Sequence, residues 1–106
     1  MQFLSTGTNR RTDKYGGRVN NRLRFVIETL EQMAHSAGSP SRVGIKVSPA
    51  MPFNDTTDDN PIETYTELTK AISAMGLAYL HVLRSGPLPN IFEILRPLFQ
   101  GKFAAV

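Results

Sequence analysis

Arg42-Val-Gly-Ile-Lys-Val-Ser48, followed by a polar loop, a segment opened by Asn60-Pro61-Ile62-Glu63, and then Leu77-Ala-Tyr-Leu-His-Val-Leu83, decides the architecture. The first piece alternates Val43, Ile45 and Val47 with Gly44, Lys46 and Ser48, which is the period of a strand with one apolar, β-branched face. The middle piece has the start of a helix: Asn60 as cap, Pro61 in the first helical position and Glu63 placed for a capping box. Tyr65, Leu68, Ala71, Ile72 and Met75 line one face of that helix, and Gly76 stands where a left-handed residue ends it. The last piece is apolar on both faces except for His81, as suits a strand covered on both sides. Two strands joined by a helix of this length are parallel, a βαβ unit.

Working outward, Asn20 is the expected cap of an earlier helix, whose stripe is Leu23, Val26, Ile27, Leu30, Met33 and Ala34. Gly38 and Pro40 end it. Residues 1–19 have no sustained period and carry turn chemistry at Thr6-Gly-Thr-Asn9 and Gly16-Gly17, which predicts a long loop. After Arg84-Ser-Gly-Pro-Leu-Pro89, Asn90 with Glu93 gives a second Asn-x-x-Glu helix start, and Phe92, Leu95, Leu98 and Phe99 form its buried face. Pro97 removes a backbone donor late in that helix and predicts a short or distorted last turn. A third strand is expected from Lys102. The expected domain organisation is one segment over residues 1–106, a loop followed by alternating helix and strand.

The chain has 106 residues, no cysteine and a formal net charge of +3. That length allows one domain. Without cysteine there is neither a disulfide nor thiolate chemistry. No apolar run approaches the ~20 residues of a membrane span, and the first residues lack the order of a signal peptide, so a soluble, cytoplasmic chain is expected. Arg10, Arg11, Lys14, Arg18, Arg22 and Arg24 crowd the first quarter, where Asp13 is the only acid. Such a cluster can bind nucleic acid, but Tyr15 and Phe25 are too few aromatics for a single-strand platform. A solvated basic segment with local ion pairs, including Arg11 with Asp13, is the expectation, and no nucleic-acid partner is expected. A sheet of three parallel strands with helices mostly on one side also leaves two unpaired edges and one uncovered face. Either copies associate along those edges as homo-oligomers, or the chain is a piece of a larger barrel.

Three groups of residues resemble the old yellow enzyme family: Gln2-Phe-Leu-Ser5, then Asn9-x-Arg11-Thr-Asp13-x-Tyr15-Gly-Gly17, then Asn21-Arg22-x-Arg24-Phe25. So do Arg42-Val-Gly-Ile-Lys-Val-Ser-Pro49, Phe53-Asn54 and Gly76-Leu-Ala-Tyr-Leu-His-Val82. The resemblance implies a partial (β/α)8 TIM barrel of the α/β class, roughly strands five to seven with their helices. It implies the chemistry of enzymes that use flavin mononucleotide (FMN) and NAD(P)H to reduce the C=C bond of activated alkenes, unsaturated carbonyl or nitro compounds. The partner would be a small-molecule alkene. By the same resemblance the catalytic histidine pair, or histidine–asparagine pair, falls upstream of Gln2 and the flavin phosphate loops beyond Val106. No catalytic residue is therefore assigned within the chain, and a lone copy should not hold flavin tightly.

Lys46 is the cofactor-binding candidate. With Val43, Ile45 and Val47 toward the helices, alternation turns Lys46 to the barrel interior. The family usually has a basic residue here, most often arginine, close to the flavin ring. Phe53 and Asn54 match a Phe-Asn pair near the substrate in the family, although Met51-Pro52 replaces a more usual Gly-Thr. His81 has no partner acid or nucleophile in prospect and is expected to be a buried, hydrogen-bonded histidine, and His35 a surface residue near a helix end. Asp55, Asp58 and Asp59 form a loose carboxylate cluster that lacks the glycine of a calcium loop.

Overall fold

A computed structural model describes residues 2–49, 58–83 and 90–105. Helix α1 spans Val19–Ala37, strand β1 Gly44–Val47, helix α2 Pro61–Ser73, strand β2 Tyr79–Val82, helix α3 Ile91–Leu95 and strand β3 Lys102–Ala105. Short 3-10 turns at Pro40–Arg42 and Arg96–Leu98 precede β1 and follow α3. The strands form one parallel sheet in the order β1-β2-β3. Gly44 is in register with Tyr79 and Lys102, and Lys46 with His81 and Ala104.

One face of the sheet is sealed. Val47, Leu80 and Val82 are buried there, with Ile45 and Phe103 packed at its margins. Leu23 and Leu30 of α1, Tyr65, Leu68 and Ile72 of α2, and Ile91 and Leu95 of α3 complete the core. Burial of this apolar surface at about 25 cal/mol per Å² is the main force holding helices to sheet. Each stripe reading overreaches at one position: Met33 of α1 is 48% exposed, and Ala71 of α2 is exposed. Thr64 and Thr69 are buried instead, because each hydroxyl has a local partner, Asp58 for Thr64 and the Tyr65 carbonyl for Thr69.

The helix ends show where local chemistry decides. Asn60 caps α2 as expected, its side chain accepting from the Glu63 amide at 3.2 Å. The Asn60 amide turns to Asp58 Oδ1 rather than to Glu63, so only half of the capping box forms. α1 begins earlier than predicted. Arg18 is its N-cap, with no side-chain cap bond, and the Arg18 carbonyl accepts from the amides of Asn21 and Arg22. Gly17, at φ +86°, delivers the chain into this start, so Asn20 falls inside the helix. Asn90 likewise occupies the cap of α3 without a side-chain bond. The distorted last turn expected at Pro97 is observed: α3 gives way to the 3-10 turn at Arg96.

Candidate functional site

The sheet face away from the helices is where polar chemistry collects. Side chains of paired residues in a parallel sheet share a face, so Gly44, Lys46, Tyr79, His81, Lys102 and Ala104 stand together, opposite Ile45, Leu80, Val82 and Phe103. In the lower layer the Tyr79 ring, 44% exposed, lies across Gly44: a Cβ on Gly44 would come within 2.2 Å of the ring. Glycine at 44 is thus the space into which the tyrosine folds. In the layer above, Lys46 is exposed and, among the described residues, engages no hydrogen bond or ion pair. His81 beside it is partly buried, and its Nε2 is fully covered with no hydrogen-bond partner. The hydrogen-bonded core histidine expected from the sequence is therefore not what forms. Strand alternation puts the ring on the polar face, where Ala104 and Lys46 flank it and offer no carboxylate. Phe53 and Asn54 lie outside the described residues, as does Asp55.

On the sealed side, sequence reasoning missed a buried ion pair. Arg22 was counted among six clustered cations, yet its side chain is 5% exposed and that of Asp58 2%. Arg22 Nη1 lies 3.3 Å from Asp58 Oδ2 and donates to Thr64 Oγ1 at 3.0 Å and to the Leu4 carbonyl. Its Nε donates to the Gly17 carbonyl at 2.9 Å. The Thr64 hydroxyl donates in turn to Asp58 at 2.9 Å. One guanidinium therefore ties the N-terminal segment, α1 and the start of α2 together.

The N-terminal loop is equally organised. Asn9 is buried and donates to the carbonyls of Phe3 and Tyr15, while its Oδ1 accepts from the Arg11 amide. The expected Arg11–Asp13 pair forms, and Asp13 Oδ1 also accepts from the Tyr15 amide. These bonds stabilise the carboxylate and hold the Asp13 carboxyl below its ordinary pKa, the Arg11 hydrogen bond first. Phe3 stacks on Phe25 at 4.1 Å between centroids, with Tyr15 edge-on to both. Arg11 and Lys14 lie over these rings. An apolar groove of about 440 Å³ opens beside this cluster, bounded by Phe25, Leu30 and Ile45, and so lies on the other side of β1 from Lys46. Among the described residues there is no cluster of three or more metal-binding side chains, and no helix is long and apolar enough to cross a membrane.

The backbone superposes on morphinone reductase in complex with tetrahydroNAD with a TM-score of 0.89, at 40% identity, covering 98% of this chain and 29% of that one. Such a match defines the class: a segment of a β/α-barrel flavin oxidoreductase. Residues 1–88 match the model of the NADH:flavin oxidoreductase / NADH oxidase family, and the chain belongs to that family, the old yellow enzymes. A probable flavin mononucleotide-dependent alkene reductase of Leishmania infantum is 39% identical over 83 residues. A putative 12-oxophytodienoate reductase of Oryza sativa subsp. japonica is 35% identical over 112. The alignments cover 78% and 98% of this chain but only 22% and 30% of those relatives.

Proposed function

We propose that this chain forms the part of a flavin-dependent alkene reductase wall that faces the isoalloxazine ring. The reading draws on strands five, six and part of seven of the barrel, an NAD(P)H donor, and a small activated alkene as substrate. The observation that carries it is Lys46: an exposed, unpaired ammonium on the sheet face turned away from every helix, in a member of this family. The residues on that face fit the pyrimidine end of FMN, which is electron-rich and becomes anionic on reduction. An unpaired cation is a group that an electron-rich ligand there would satisfy. FMN, if bound there, would supply the hydride chemistry, and Lys46 would hold positive charge against the pyrimidine end of the ring. At an effective dielectric of about 20, one charge at ~4 Å interacts by roughly 4 kcal/mol before desolvation. Lysine keeps the charge of the more usual arginine but not its planar fork. Phe53 and Asn54 are assigned to the substrate side of the same pocket.

Titration of FMN against the chain, followed by flavin fluorescence, tests this directly. Weak quenching that is lost in Lys46→Met is expected. A chimera of morphinone reductase carrying residues 1–106 in the matching segment should hold flavin and lose affinity for it with the same substitution. Curves that do not change with Lys46→Met in either setting refute the assignment.

A second reading rests on the sheet itself. Among the described residues, both outer strands of the order β1-β2-β3 have a free edge and the face carrying Tyr79 is open. A non-catalytic module that assembles through those edges would sediment as an oligomer; a folded, strictly monomeric species removes this reading.

A further inference from the structure

The apolar groove beside α1 has no part in the flavin reading, and it lies along the edge of the sheet. β1 pairs with β2 on one side and is free on the other among the described residues. The two later crossovers share one build: a helix leaves one strand, covers the sheet and enters the next strand in parallel, α2 between β1 and β2, α3 between β2 and β3. α1 also leads into a strand of this sheet, on the same face. Parallel crossovers are right-handed in nearly all cases, so the strand that would precede α1 belongs beside the free edge of β1.

The helix side of that edge is shaped for protein. α1 packs on α2 along one flank. On the other, Phe25, Thr29 and Met33 recur at every fourth residue, the spacing of a ridge that packs into the groove of a neighbouring helix. Phe25 is 43% exposed although stacked on Phe3, and Met33 is as open. The groove of about 440 Å³ runs on one side of this ridge, bounded by Val26, Leu30 and Ile45, and a second of about 430 Å³ runs on the other. No charged side chain lines the first groove, and the Thr29 hydroxyl is spent on the Phe25 carbonyl at 2.7 Å. A small-molecule pocket orients its ligand with several convergent polar groups; the polar side chain left here is Gln2.

We infer that the free edge of β1 and the groove beside α1 together seat a helix–strand unit supplied by a second polypeptide. Its strand extends the sheet in parallel beside β1, and its helix lays an apolar ridge against Phe25, Met33 and Ile45. The inference rests on the barrel part of the reading above and not on flavin. The occupant is the unit immediately upstream of the matched segment in the relatives, because a β/α barrel repeats strand and helix around its axis and this chain covers 29% of morphinone reductase.

The test co-expresses the full chain with the part of morphinone reductase that lies upstream of the matching segment. A one-to-one complex is expected, with hydrogen–deuterium exchange slowed in β1 and the Met33 methyl signal shifted; Met33→Leu assigns that signal. Phe25→Lys and Met33→Lys should each weaken the complex by about tenfold or more. Ile62→Lys, at a position 41% exposed on α2, should leave it unchanged. A single chain fusing the two parts removes the dependence on association: there Met33→Lys should lower the urea midpoint and Ile62→Lys should not. Failure to form the complex, or equal effects of Met33→Lys and Ile62→Lys in either format, overturns the inference. A Met33 shift that grows with the concentration of this chain alone gives the groove to a second copy and overturns it too. No readout involves FMN, so the Lys46 assignment stands or falls on its own titration.

Discussion

Replacing Arg22 with methionine should cost more stability than any other single change on the helical side. The substitution keeps an unbranched apolar stem but removes the guanidinium, leaving the Asp58 side chain, 2% exposed, as an uncompensated buried charge. Breaking a buried ion pair from one side costs about 3–5 kcal/mol. The Leu4 and Gly17 carbonyls lose their donor in the same step. A domain of this size has roughly 5–15 kcal/mol in total, so the variant is left with a small margin. In urea, with a slope of about 2 kcal/mol per M, the unfolding midpoint should fall by roughly 2 M. The reciprocal change, Asp58→Leu, should also be costly, because it strands the arginine. The double variant should be far less destabilised than the two losses added, since an apolar pair of similar volume replaces a buried ion pair at little net cost. A midpoint shift below about 0.5 M for Arg22→Met, or strictly additive losses in the double variant, would refute the assignment of Arg22 as the tie between loop and helices.

Other substitutions separate backbone from side-chain effects. Gly16→Ala should unfold the N-terminal loop, because the new Cβ would meet the Arg11 carbonyl oxygen at 2.2 Å, whereas Gly17→Ala meets nothing and should cost only the left-handed strain of about 1–2 kcal/mol, both read as urea midpoints. Gly44→Ala collides with an exposed tyrosine ring that can swing away, so its stability loss should stay under about 1 kcal/mol while Tyr79 fluorescence changes. Asn60→Ala removes the cap of α2 and should cost about 1 kcal/mol, measured the same way. Asp13 should titrate by carboxyl NMR below the ordinary range, and Arg11→Met should return it toward normal. Because the folded-state value is the lower one, the stabilisation is complete above the unfolded pKa of about 3.9 and is lost as pH falls through the folded one.

The parallel order and the two covered crossovers were legible because each rests on a period written in the residues. Val43, Ile45 and Val47 announce a strand with one apolar face, and Asn60-Pro61 announces a helix start; both features appear where the pattern put them. Asn90 starts α3 as expected but makes no side-chain cap bond, and Asn20 falls inside α1, whose N-cap Arg18 lies two residues before it. A cap needs its side chain to face a free amide, and that orientation depends on the turn delivering the chain, which a residue type does not encode. Met33 and Ala71 lay on the apolar stripe by count but outside the arc that the neighbouring elements cover.

Arg22 is the harder case: the long N-terminal loop forms as expected, but the buried guanidinium that anchors it is not visible in composition. From composition it was one cation among six, and its ligands are two backbone carbonyls, a threonine and an aspartate more than thirty residues away. Nothing in a one-dimensional charge count can see carbonyl oxygens. Yet a guanidinium has five donors in a rigid fork and is the group best able to collect several such acceptors at one buried point. Asn9 works on the same principle with a neutral amide, closing the segment between Phe3 and Tyr15. The long N-terminal loop thus behaves as a strap that fastens α1 and α2, through the Leu4 carbonyl on Arg22, the Thr6 hydroxyl on the Asp59 amide and the Asn9 side chain within it. That division leaves Lys46 unpaired on the open face among the described residues. A side chain free to serve a ligand is one the scaffold does not already need, and Arg22 and Asn9, which the scaffold does need, lie on the other side of the sheet from Lys46.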